Sequence, residues 1–129
     1  MTPRSGISVA EHLKRIPPAS RPLVQAARRT VKSVAPKAKE IAYNTTRSAG
    51  AKSPSMYKIS RYVVGDVQVA GIGAFPKYAA LFFARGTELD NRSGLLHGTG
   101  KARFIRLRTP ADAERPAVKR IIREAFKLQ

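Results

Sequence analysis

The sequence predicts an α+β domain: a mostly antiparallel sheet with N- and C-terminal helices packed on one face, as a two-layer sandwich. Three observations predict it. Apolar residues recur at helical spacing near both ends of the chain, at Leu23, Ala27, Val31 and Val34 and again at Val118, Ile121, Ile122, Ala125 and Phe126. Between them lie short strand-like runs joined by tight links, which favours antiparallel pairing of chain neighbours. The length of 129 residues suits a single domain spanning 1–129, and a chain of that size buries roughly two-thirds of its unfolded surface.

Taken in order, Ser8 and Glu11 form a capping-box pattern that opens a short helix to about Arg15, with Val9, Leu13 and Ile16 on one side. Pro17-Pro18 stops it. Ser20 is expected to open a second helix with Pro22 in its first turn, ended by Pro36. A brief strand is expected at Glu40–Tyr43, and Asn44–Ser55, rich in Ser, Thr and Gly, reads as a loop. Strands are expected at Tyr57–Val64, Val67–Phe75 and Tyr78–Ala84, turning at Gly65-Asp66 and Pro76-Lys77. Residues 85–101 hold four glycines and read as a loop with a helical turn near Glu88–Arg92. Arg103–Leu107 is the last strand, with Ile105 and Leu107 inward and Phe104, Arg106 and Arg108 on the opposite side. A terminal helix is expected from about Asp112.

Charge is the outlying property. Twenty-five Lys and Arg against eight Asp and Glu give +17. Eleven basic and two acidic residues lie in 1–56, fourteen and six in 57–129, so the excess is spread over the fold rather than held in a tail. Self-repulsion on this scale favours an anionic partner that stabilises the compact state. The absence of cysteine removes disulfides, thiolate nucleophiles and Cys metal sites, and it fits a cytoplasmic location. Residues 1–7 lack the apolar core of a secretory signal. The Arg- and Ser-bearing first 33 residues share some features of a mitochondrial presequence, the alternative. The longest apolar stretch, Tyr78 to Ala84, is far too short to span a membrane.

Three stretches resemble the YdhG-like domain family, small bacterial proteins mostly of unknown function. They are Val9-Ala10-Glu11-His12-Leu13 with the Pro17-Pro18 break and the helix after it, Gly71–Phe75 with Tyr78–Phe83, and Leu95–Arg108. Together they cover nearly the whole chain. The resemblance implies a frataxin-like α-β sandwich and, as in some members, iron handling. Where the family often carries Gly-Met-Pro-aromatic after the first strand, Tyr43 is followed here by Asn44-Thr45-Thr46. Hard cations need carboxylate clusters, and the first two helices offer Glu11 alone against six cations, so iron is the disfavoured reading.

Two constellations carry the functional expectations. His97, Gly98, Thr99, Gly100, Lys101 and Arg103 form a glycine-rich basic turn that either leads tightly into the last strand or cradles an anion on its backbone amides. It is not a P-loop: the glycine spacing fails, Ala102 stands where the hydroxyl belongs, and a strand follows. The second constellation is a nucleic-acid surface of Arg28, Arg29, Lys32, Phe104, Arg106, Arg108, Lys119, Arg120 and Arg123. Tyr57, Tyr62, Phe75, Tyr78, Phe82, Phe83 and Phe104 fall on strands or their ends, where they either fill the core or stack bases. No RNP or helix-turn-helix signature is present. His12, without a second histidine one turn away, is not a metal ligand. No nucleophile elbow is present. The expectation is a non-catalytic binding module for an anionic ligand or polyanion, with a nucleic-acid accessory protein as the alternative. It needs no cofactor or metal, has no membrane partner, and its oligomeric state is left open.

Overall fold

The computed structural model describes residues 8–43 and 57–128. The loop expected at Asn44–Ser55 lies outside the described residues. The chain runs through α1 (Val9–Arg15), a 3₁₀ turn at Pro18–Ser20 and α2 (Arg21–Val34). It continues into β1 (Lys39–Ala42), β2 (Tyr57–Val64), β3 (Val67–Ala74), β4 (Ala79–Phe83) and β5 (Arg103–Leu107), and ends in α3 (Pro116–Lys127). The five strands form one sheet in the order β1-β2-β3-β4-β5, every neighbouring pair antiparallel. The domain is therefore α+β, with three helices on an antiparallel meander.

Each helix boundary has a local cause. The Ser8 side chain accepts the Glu11 N–H at 3.1 Å and starts α1. Ser20 stands immediately before α2 as its N-cap residue, as expected. Its side chain makes no cap bond; the hydroxyl instead donates to the Phe75 carbonyl, tying the start of α2 to the end of β3. The terminal helix starts later than expected. Thr109 and Asp112 form a capping box that closes a 3₁₀ turn at Pro110–Glu114, and α3 begins only at Pro116. A proline ring clashes with the carbonyl four residues back, here that of Asp112, so a helix begun at 112 must stop and restart. The helical turn expected at Glu88–Arg92 is a 3₁₀ turn at Gly86–Glu88. A Cβ on Gly86 would collide with the Cβ and backbone of Arg103, so only glycine fits there.

The core lies between the helices and one face of the sheet. Leu23, Val24, Ala27 and Val31 of α2 and Val118, Ile121 and Ile122 of α3 pack with Ile72, Leu81, Phe83, Ile105 and Leu107. Burial alternates along β5 as strand geometry requires, with Ile105 and Leu107 enclosed and Phe104 and Arg106 half-buried on the far side. His12 is fully enclosed under α1, where its Nε2–H donates to the Tyr43 carbonyl at 2.9 Å. Its Nδ1 has no partner among the described residues. That hydrogen bond ties the first helix to the residue that follows β1.

Candidate functional site

The sheet face turned away from the helices carries an ordered pattern that follows from strand register. Ile41 pairs with Arg61, Arg61 with Gly71, Gly71 with Phe82, and Phe82 with Phe104, so these five form one row across all five strands. Lys58, Gly73, Ala80 and Arg106 form a second row beside it. Residues paired across strands point to the same face. The middle of both rows is therefore nearly without side chains, while large groups stand on the strands to either side.

The result is a trough along β3. One bank carries Lys58 and Arg61, the other Phe82. Two inter-strand spacings separate β2 from β4, about 10 Å. A groove of about 490 Å³ lies here, with Gly71 on its floor, Tyr43, Lys58 and Phe82 in its walls, and Lys101 and Ala102 at one end. A Cβ on Gly71 would sit 3.3 Å from the Ser60 carbonyl oxygen and 3.9 Å from the Tyr43 hydroxyl, so even one carbon would intrude.

Aromatic rings hold the cations of this face. The Lys58 ammonium lies 5.2 Å from the centre of the Tyr43 ring. The Arg106 guanidinium lies 5.2 Å from the centre of Phe104 and 5.6 Å from that of Tyr78. Phe82 and Phe104 lie with ring centres 5.6 Å apart, and His97 packs on Phe104 at 5.8 Å. Such contacts stabilise a cation without neutralising it. All eight carboxylates are elsewhere: Glu11 on α1, Glu40 turned to the helix side, Asp66 in the β2–β3 turn, and Glu88, Asp90, Asp112, Glu114 and Glu124 in the last third of the chain. The two rows are basic and hold no carboxylate, and the Glu88 charge acts on Lys101 at the trough's end.

The glycine-rich turn has a different construction from the trough. His97 and Phe104 exchange backbone hydrogen bonds at 2.8 and 3.0 Å, which closes residues 98–103 into a hairpin. Gly98 takes φ +118°, a value that side chains rarely adopt. The Arg103 guanidinium donates to the Gly100 carbonyl, and the Thr87 N–H to the Lys101 carbonyl at 3.2 Å. Thr99 is exposed at the tip. Of this group, Lys101 is the residue that reaches the trough.

The expected nucleic-acid surface divides. Phe104 and Arg106 stand on the open face, and Arg108 follows just beyond β5 with its backbone N–H on the Asp112 carboxylate at 2.9 Å. Arg28, Arg29 and Lys32 belong to α2, and Lys119, Arg120 and Arg123 to α3, both in the helix layer on the opposite side of the sheet. These nine residues therefore do not form one surface. The sheet is two-sided, and a helix packed on one side directs its wet face away from the other.

Arg28 is moreover paired. Its guanidinium grips Glu40 with two hydrogen bonds, at 2.9 and 2.8 Å. Tyr62 donates its hydroxyl to the same carboxylate at 2.5 Å, and Ser60 at 3.5 Å. Burial alone would push the Glu40 carboxyl up, but hydrogen bonds from Arg28 and Tyr62 more than reverse this and hold it below its ordinary value. Burial and the Glu40 charge push the Tyr62 phenol up, so it stays a donor.

Sequence reasoning missed the trough. Its signal was Gly71 and Gly73 two residues apart in one strand, beside Ala80 and Phe82 two apart in the next, both on the period of one sheet face. Among the described residues no group of three or more His, Asp or Glu could hold a metal ion, and no helix is long and apolar enough to cross a membrane. The chain matches no protein-family model, and no curated protein or solved structure is significantly similar to it.

Proposed function

We propose that this protein is a non-catalytic binding module of the YdhG-like type whose ligand is a single-stranded nucleic acid, held along the open face of its sheet. The observation that carries this reading is the trough: a side-chain-poor floor between cationic and aromatic banks, with no carboxylate in its rows or lining. Flat rings stack bases of any sequence, and cations flanking them meet the phosphates. A duplex would present its phosphates outside and its bases already stacked, and would leave the rings unused. Lys58, Arg61, Lys101 and Arg106 supply the charge; Phe82 and Phe104 supply the stacking surface.

The histidines support the non-catalytic part. Among the described residues, His12 meets a backbone carbonyl and His97 a phenylalanine ring. The dispersal of the eight carboxylates speaks against iron delivery.

Fluorescence anisotropy with a labelled ten-nucleotide single strand, its duplex and heparin, each at two salt concentrations, tests the reading. The single strand should bind more tightly than the duplex. Phe82→Ala and Phe104→Ala should each weaken it by about 5- to 100-fold, the worth of one stacked base. Equal binding of all three polyanions, with both Phe variants unchanged, would reduce the face to a generic basic surface and overturn the proposal.

A further inference from the structure

A second cavity lies on the opposite side of the sheet, where α2 overhangs its β1 edge. Its volume is about 540 Å³, within the range of small-molecule sites. Four of its residues come from one face of α2: Gln25, Arg28, Arg29 and Lys32, at the i, i+3, i+4 and i+7 positions. Glu40 and Tyr62 close it from the sheet.

The charges here do not balance. Arg28 is matched to Glu40, whose oxygens also receive Tyr62 and Ser60. Arg29 and Lys32 are exposed and have no hydrogen bond or ion pair among the described residues. Three residues apart on a helix, these like charges repel. The site thus presents two unmatched cations, with the Gln25 amide one turn away. Beyond them the wall turns apolar, with Ala35, Pro36 and Ala38 in the connection to β1.

We propose that this cavity binds a small organic phosphomonoester. The near-dianionic phosphate would sit between Arg29 and Lys32 with the Gln25 amide donating to it, and the organic group would lie against Pro36 and the Tyr62 ring. A phosphomonoester brings close to two charges to two cations near neutral pH, whereas a phosphodiester or a carboxylate brings one. Arg28, which also lines the cavity, is already held by the Glu40 carboxylate. The site is independent of the trough: Glu40 and Tyr62 point to the helix side of the sheet, and their neighbours Ile41 and Arg61 to the other.

The test is a titration of the whole protein with phenyl phosphate, followed by ¹⁵N–¹H NMR. Methyl phenyl phosphate, a monoanionic diester, and phenol serve as comparisons. Saturable binding is expected, with the largest shifts over residues 25–40. The diester should bind about tenfold more weakly and phenol not measurably. The double variant Arg29→Ala, Lys32→Ala should lose at least about tenfold, while Phe82→Ala binds as the parent does. Both α2 side chains are exposed, so an unchanged melting temperature will show that the fold is intact. Absence of saturable binding, equal affinity in the double variant, equal affinity for the diester, or shifts centred on residues 71–84 and 101–106 would each overturn the proposal. Absence of binding here leaves nucleic-acid binding at the trough standing, because that is read with a different ligand.

Discussion

The two faces of the sheet use charge in opposite ways. On the helix side, the half-buried Arg28 guanidinium meets a carboxylate, and that carboxylate also receives a phenol and a serine hydroxyl. On the open side, Lys58 and Arg106 meet ring faces, and no carboxylate lies within the rows. A charge removed from water must be matched or the fold loses stability. A charge left matched only by π faces remains available to a ligand. The helix side thus holds the molecule together, and the open side leaves its rows of cations without a carboxylate.

Adjacent residues of β4 give the largest contrast. Phe83 is fully buried in the core, while Phe82 is half-buried on the open face. Phe83→Ala should cost about 3–5 kcal/mol in denaturant unfolding. Phe82→Ala should cost under about 1.5 kcal/mol and lose affinity for single strands instead. Similar unfolding costs for the two would erase the distinction between the faces.

Next in size is Glu40→Gln, expected to cost about 2 kcal/mol, between an exposed and a buried ion pair. Because the Glu40 carboxyl is held below its ordinary value of 4.5, its contribution is fully present above that pH. It is lost as pH falls through the lower value of the folded state. The stability gap between parent and variant should therefore be widest above about pH 5 and narrow on acidification. A gap that does not change with pH would mean that the carboxylate charge is not what stabilises β1 against α2.

The smallest effects are expected from the cations of the open face. Lys58→Ala and Arg106→Ala should change stability by less than about 0.5 kcal/mol. Each should lower the salt dependence of single-strand binding by about one phosphate contact. Arg123→Ala, on the exposed side of α3, should leave that slope as it is. An equal loss from Arg123→Ala would mean that the ligand runs over the helix layer as well.

The local elements were largely readable. Tyr57–Val64 and Arg103–Leu107 occupy the spans that alternation predicts, because a turn at Gly65-Asp66 and a glycine-rich hairpin bound them. Ser8 caps α1 because its hydroxyl needs only a neighbour three residues on. Ser20 has the same chemistry, but the end of β3 comes close enough to take its hydroxyl, and a distant acceptor outcompetes a local one. The ion pair of Arg28 with Glu40 was hidden for a related reason. Twelve residues separate them, and only the packing of α2 over the β1 edge brings them together.

By itself the sequence determined the element order, the antiparallel meander, the inward and outward sides of β5, and a basic charge spread over the whole chain. Each follows from interactions between residues close in sequence, or from composition, which needs no geometry. Only the tertiary structure decided where that charge acts. Strand register set Lys58, Gly73, Ala80 and Arg106 in one row and aligned Phe82 with Phe104 beside Gly71. Helix packing placed the basic faces of α2 and α3 on the other side of the sheet from Phe104 and Arg106. Register and packing depend on contacts between residues far apart in the chain, so a surface assembled from separate strands cannot be read from any one of them.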